Sequence, residues 1–226
     1  MKIKLTIFSM LLLMSASTFG QIGIRAGVNM AQEIQSFDSE DIATAFHSDN
    51  LTGYQIGLIY QMNPKKSGLG FEIGALLSQK GGVFRFDSTG VVNSFVKGYR
   101  EINCIDVPMS VRLRIDIGGV IGVFGTAGVY GSYALQGKTV YEGLAEISRE
   151  ENFGNFMERL DYGYSIGYGV ELIRKLQISA KYSQGLQKRD TSKSILDIVN
   201  TESGGTPNVM ATNTSKVFSV TLTYLF

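Results

Sequence analysis

Three groups of residues in this sequence have types and spacings that could do chemistry. The first surrounds His47, the only histidine, with Asp41, Ser48 and Asp49 close by in the chain. A histidine near a hydroxyl and carboxylates is raw material for hydrolysis. No second histidine and no G-x-S-x-G elbow accompany it, and one histidine with scattered carboxylates does not make a metal site. It reads as an exposed residue of a loop. The second group is Gly167-Tyr168-Gly169, a fragment of a dinucleotide fingerprint. That motif needs a strand before it and a helix after it, and the flanking residues supply no helix. No cofactor is expected. The third group is eight charges, Arg25, Arg112, Arg114 and Lys181 against Glu72, Asp106, Asp161 and Glu171. Equal and opposite charges confined together pair, because an isolated buried charge is very costly.

What confines them is a period of two that runs from Gln21 onward. Ile22, Ile24, Ala26, Val28 and Met30 alternate with Gly23, Arg25, Gly27 and Asn29. Tyr54, Ile56, Leu58 and Tyr60 alternate with Gln55, Gly57 and Ile59, and Leu69–Leu77 alternate with Gly70, Glu72, Gly74, Leu76 and Ser78. The longest run sets Ile105, Val107, Met109, Val111, Leu113 and Ile115 against Asp106, Pro108, Ser110, Arg112, Arg114 and Asp116. Three further runs, 160–172, 176–183 and 218–226, behave alike. Such segments are strands with one apolar face and one small or polar face. The stretch GGVIGVFGTAGVYGSY (118–133) completes a set of eight. Its glycines recur every third residue. As a strand this places Gly119, Gly125 and Gly131 on the apolar face with Ile121, Val123, Ala127, Val129 and Tyr133. Gly122 and Gly128 fall on the other face with Phe124, Thr126, Tyr130 and Ser132.

The connections alternate between long and short. Residues 32–50, 81–98, 136–158 and 188–214 read as long loops; NPKKSG (63–68), Asp116–Gly119 and Ile173–Lys175 read as tight turns. This predicts an all-β, eight-stranded, antiparallel, up-and-down transmembrane β-barrel, with short turns and both termini on the periplasmic side. A soluble barrel would also alternate but would point its apolar face inward, whereas here the charges share a face with glycine and serine. Tyr54, Tyr60, Tyr162, Tyr168, Tyr182 and Tyr224 lie near strand ends on the apolar face, where interfacial girdles belong. An eight-stranded barrel is only wide enough for side chains to fill it. The eight charges are therefore expected to form a lumen network with no substantial pore. The competing reading, a proton or small-ion path, would carry an excess of one sign.

Residues 1–20 stand outside this pattern. Lys2 and Lys4, an apolar run centred on Leu11–Met14 and small residues ending at Gly20 form a secretory signal cut before Gln21, which leaves 21–226 as the barrel domain. Its loss leaves 19 basic against 20 acidic residues, so nothing suggests nucleic-acid binding. Cys104, the single cysteine, permits no internal disulfide. A mean hydropathy of +0.07 is too low for a bundle of membrane helices.

Three stretches carry a family resemblance. IDVPMSVRLRI (105–115) is similar to an acidic-apolar-proline strand, with Asp106 where glutamate is usual and with Pro108 and Arg112 matching. LDYGYSIGYGVEL (160–172) is similar to a strand with Gly167, Gly169 and Glu171 at fixed places, and AKYSQGLQ (180–187) carries Gly185 in a Tyr-Ser-x-Gly-Leu segment. With GIRAGVN (23–29) and the final Phe226, the mature chain resembles the PorT-like outer-membrane β-barrel family of Gram-negative envelopes. The resemblance implies a small barrel in the cell outer membrane, delivered by the assembly machinery that reads a C-terminal Phe, in contact with outer-membrane lipid. The family's namesake is linked to a secretion system, a role that fold motifs alone do not transfer, so any envelope or secretion partner stays unidentified at this point. These motifs define a fold rather than a reaction. The expected role is non-enzymatic, in adhesion, envelope maintenance or secretion, through loops rich in Ser, Thr, Asn and charge. The alternatives are a rim enzyme acting on lipid or peptide, and a soluble ligand-binding barrel. Gel mobility in detergent separates the membrane barrel from the soluble one: unheated protein is expected to migrate as a compact form that shifts on boiling, and recovery in the soluble fraction would exclude this.

Overall fold

The computed structural model describes residues 20–37, 46–62, 68–86, 96–142, 147–151, 159–187, 189–190 and 211–226. They form strands β1 (Gln21–Phe37), β2 (Phe46–Met62), β3 (Leu69–Phe86), β4 (Val96–Ile117), β5 (Ile121–Glu142), β6 (Ile147–Glu151), β7 (Leu160–Leu172), β8 (Leu176–Gly185), β9 (Arg189–Asp190) and β10 (Ala211–Leu225). Eight of these are staves, paired in the order β1-β2-β3-β4-β5-β7-β8-β10. All neighbouring staves are antiparallel, and β1 pairs with β10 from Gly23–Leu225 to Phe37–Ala211, which closes the sheet. Closure leaves no stave with an unpaired edge, a requirement for any sheet immersed in lipid. β6 pairs with β5 beyond the end of β7, and β9 pairs with β10 beyond the end of β8.

The barrel is inside-out. Ile22, Ile24, Val28 and Met30 of β1 are exposed, while Arg25 and Asn29 are buried; Ile105 to Ile117 of β4 are exposed, while Asp106, Ser110 and Arg112 are buried. The lipid-facing run of each stave is about as long as a tilted strand needs to cross hydrocarbon. In β5, Ile121 and Val129 face outward and Phe124, Thr126, Tyr130 and Ser132 inward. A bulge at Leu135, between the pairs Cys104–Ala134 and Asn103–Gln136, swaps the faces beyond it. Pro108, which has no N–H, pairs in register with Tyr130 of β5, while the β3–β4 pairing stops at Ile73–Met109 and resumes at Leu76–Asp106.

The strands outrun the sequence pattern at the long-connection end. Phe37 and Phe46–Asn50 belong to strands rather than to a 32–50 loop, β3 reaches Phe86, β4 begins at Val96 and β5 reaches Glu142. His47 therefore lies in β2, opposite Arg85, and not in a loop. Tyr54 consequently stands near the middle of β2 rather than at its end. Backbone pairing thus continues past the residues that alternate strictly between lipid and lumen.

The β4–β5 and β7–β8 turns are tight. Gly118 and Gly119 take φ of 64° and 77°, and a Cβ on either would meet nothing within 4 Å, so glycine is there for its backbone freedom. In the β7–β8 turn the same left-handed conformation is held by Ile173 (φ 53°) and Arg174 (φ 59°). Each left-handed L-residue costs about 1–2 kcal/mol. Arg174→Gly is expected to raise the stability of the detergent-folded barrel by about 1 kcal/mol, read as a higher urea midpoint; an unchanged or lower midpoint would show that the turn is unstrained.

Candidate functional site: a charged lumen

The short-turn half of the lumen is crossed by one connected set of polar side chains. Arg25 of β1 donates two parallel hydrogen bonds to Glu72 of β3, at 2.6 and 2.8 Å, and its Nε donates to Thr223 of β10 at 2.9 Å. Charge-assisted pairs with this bidentate geometry are among the strongest in proteins. Gln61 of β2 donates to Glu72 Oε2 at 2.7 Å and exchanges amide hydrogen bonds with Gln177 of β8, both 3.0 Å. Gln177 in turn donates to Glu171 of β7 at 2.8 Å. Glu171 is held by two arginines of β4, Arg112 through Nη2 at 2.7 Å and Arg114 with Nε at 2.9 Å. Arg112 also donates to Gln61 Oε1. Its guanidinium lies 3.7 Å from the ring centroid of Phe124 in β5. Every stave thus contributes a side chain to this one network.

The placement follows from strand parity. Short-turn staves alternate in and out, so residues two apart point into the same crowded space. Gly169 is what admits the Phe124 ring: a Cβ there would approach Phe124 Cζ to 2.5 Å. Gly122 likewise makes room for Arg114, whose Nε would lie 2.9 Å from an added Cβ. Arg112 and Gln61 are 0% exposed, and Glu72, Glu171 and Gln177 are buried with them. Ile59, Leu76 and Leu225 form a small apolar cluster among these polar groups. Arg112 Nε and Ser110 Oγ lack hydrogen-bond partners among the described residues.

Six of the eight charges singled out by alternation meet here: Arg25, Glu72, Arg112, Arg114, Glu171 and Lys181, the last 3.7 Å from Glu72. Asp106 and Asp161 lie farther toward the long connections. Asp106 pairs with Lys80 at 2.7 Å, and Lys80 also sits 4.8 Å over the Tyr130 ring. Tyr130 donates to Asp161 at 3.4 Å, beside Gly185, where a Cβ would come within 3.1 Å of Asp161 Oδ1. Lys80, Gln61 and Gln177 are participants absent from the eight charges. Lys80 lies two residues past Ser78 and Gln61 two past Ile59, so extending the parity by one step would have found both. Between the two tiers is a cavity of about 40 Å³ lined by Asn29, Gln55, Ser78, Lys80, Asp106 and Lys181 among others. That is room for a few water molecules.

At the rim of the short-turn end, Asp116 accepts from Arg114 at 2.6 Å and its side chain is partly exposed. Pro108 and Gly167 line the lumen, a Cβ on Gly167 approaching Thr126 Oγ1 to 3.0 Å. Phe226 is exposed; its N–H donates to Ile22 at 2.9 Å and its ring meets Tyr224 edge to face. Cys104 is a buried free thiol that donates to the Ser78 carbonyl at 3.3 Å. The backbone of His47 is placed in β2, while its side chain, Asp41 and the long connections lie outside the described residues. Among the described residues no three His, Cys, Asp or Glu side chains converge as metal ligands.

The family model described as outer membrane protein beta-barrel domain matches residues 16–190, well over half of the chain. No curated protein matches it. Among solved structures the chain is similar to Ail, the attachment invasion locus protein of Yersinia pestis, in complex with the heparin analogue sucrose octasulfate. The identity is 14% over 92% of this chain and 99% of that one, with a TM-score of 0.39. It is similar to Neisserial surface protein A at 11% identity over 91% and 97%, with a TM-score of 0.39. It is also similar to OprG from Pseudomonas aeruginosa at 13% identity over 92% and 96%, with a TM-score of 0.44.

The network makes a sharp thermodynamic prediction. Arg25→Met leaves the buried Glu72 with only Gln61 and the more distant Lys181 and is expected to cost about 3 kcal/mol. Arg25→Met combined with Glu72→Leu removes both charges and is expected to recover much of that loss. Urea unfolding of the four proteins of this cycle measures the coupling; a neutral Arg25→Met would dissolve the claim that the pair fastens the barrel.

Proposed function

Because this chain belongs to the outer membrane protein beta-barrel domain family and resides in the outer membrane, we propose that it is a closed, non-enzymatic barrel that works at its surfaces. One observation carries this reading: the side chains of all eight staves join across the short-turn half, with Arg112 and Gln61 wholly buried. A lumen filled by paired charges offers neither a wide path for solutes nor a spare acid or base. Binding then falls to the long connections, toward which β2–β5 continue as paired strands past the lipid-facing band.

The finer reading is that of a PorT-like barrel. Residues 1–20 act as a cleaved signal, so the mature protein begins at Gln21. The assembly machinery engages the strand ending in Phe226, and the short turns lie in the periplasm. The mature barrel sits in outer-membrane lipid, and its long connections meet an envelope or secretion partner. Its motif residues support the fold: Gly169 and Gly185 make space for Phe124, Tyr130 and Asp161.

Reconstitution in a planar bilayer tests the sealed lumen. The wild-type protein is expected to give no stepwise conductance, and Arg112→Ala with Gln61→Ala is expected to open a measurable path. Large, regular wild-type steps would replace this reading with that of a channel.

A further inference from the structure

The short-turn end carries a surface that the sealed lumen does not explain. The β4–β5 turn (118–120) and the β7–β8 turn (173–175) are stitched together, the Ile173 N–H donating to the Val120 carbonyl at 2.8 Å. The two aliphatic side chains at this junction point away from the barrel, Ile173 being 73% and Val120 58% exposed. They are a poor choice for a turn bathed only in water. Within this three-residue connection the Lys175 N–H donates to the Leu172 carbonyl at 3.0 Å, closing a β-turn. A β-turn with both central residues left-handed favours Asn-Gly or Asp-Gly. Here those two positions are Ile173 and Arg174, and a β-branched residue at positive φ is a marked outlier. Strain of this kind persists where the side chain is needed.

Two features of the surroundings indicate what the side chains meet. Ile115, Ile117 and Ile121 are exposed members of the lipid-facing band and continue it directly into Val120 and Ile173. Beside them stand two cations, Arg174 and Lys175, both exposed. Arg174 lies 3.9 Å from Asp116, an acid that Arg114 already holds at 2.6 Å. Aliphatic groups next to outward-facing cations match the boundary between acyl chains and phosphates, where long basic side chains bury their stems and keep their heads polar. A guanidinium suits a phosphate in particular, since its fork donates two parallel hydrogen bonds.

We propose that the paired turns form an anchor seated in the phospholipid headgroup layer of the inner leaflet. Ile173 and Val120 contact the upper acyl chains, and Arg174 and Lys175 bind lipid phosphates. The anchor sets the depth of the barrel at the β4–β8 side, and it does so whether or not the lumen conducts.

The chain has no tryptophan, so single introduced tryptophans report without background. I173W and V120W probe the turns, and L58W, in the lipid-facing band of β2, serves as the reference. Each is folded into vesicles of phosphatidylcholine and phosphatidylglycerol whose acyl chains carry bromine near the headgroup or near the chain end. I173W and V120W are expected to be quenched chiefly by the headgroup-proximal bromines and L58W by the deeper ones. Adding R174S and K175S to I173W is expected to weaken its quenching when phosphatidylglycerol is present. If I173W and V120W escape both bromine positions and are quenched by aqueous acrylamide, while L58W shows normal insertion, the anchor is overturned and the turns face water or a soluble partner. Unchanged quenching in the R174S/K175S background would overturn the phosphate contacts.

Discussion

Charge confined in a narrow lumen is the constraint on which the rest of this structure depends. The apolar faces of the eight staves meet lipid, so they gain little from meeting one another. The polar faces are turned into a space too small for bulk water, where every unpaired group is expensive. The result is the chain of contacts from Thr223 and Arg25 through Glu72, Gln61, Gln177 and Glu171 to Arg112, Arg114 and Phe124. Each stave enters this chain at its own register, so a slip of one stave would break several contacts at once. The two glutamines connect the ion pairs, because their paired amides relay between the two carboxylates and let distant staves share one network.

Space for that network comes from glycine, and the glycine-rich β5 shows two different uses of it. Gly122 faces inward beside the Arg114 guanidinium, and Gly128 lies so close to β4 that a Cβ would come within 2.1 Å of the Met109 carbonyl oxygen. Gly131 faces outward and would meet nothing within 4 Å. Inward glycines admit long side chains from neighbouring staves, whereas the outward one is not required by any contact among the described residues. The ring of Phe124, flanked by Gly169 on one stave and Arg112 on another, links the two themes. A small residue creates room, an aromatic fills it, and the aromatic face then supports a cation.

The packed network fills the short-turn half of the lumen and leaves the two ends of the barrel different in character. At the long-connection end β2 to β5 keep pairing past the lipid-facing band. At the short-turn end the chain accepts backbone strain to display Ile173 and Arg174. The same sheet therefore carries a stiff middle with little freedom to change and two termini of distinct chemistry.

Much of this was legible in the residue order. A period of two, with Arg25, Glu72, Arg112 and Glu171 on the glycine-bearing face, determined an inside-out barrel, its stave count and which residues point inward, because parity alone decides the face of a strand. The membrane-crossing parts were the clearest, since lipid and lumen impose opposite demands on successive residues. The strand extensions at Phe37, Phe46 and Glu142 were not, since a backbone ladder can continue without the strict apolar–polar alternation that marks the crossing segments. Nor could parity say who pairs with whom. Asp106 is balanced by Lys80 rather than by one of the other seven charges, and Glu72 takes Arg25 through two bonds with Lys181 at a distance. Those choices depend on the relative register of staves far apart in the chain, and register is set by closing the barrel. Alternation along each strand settles which side chains face the lumen; their partners follow from closure of the barrel, because pairing depends on distances across the lumen that no local spacing encodes.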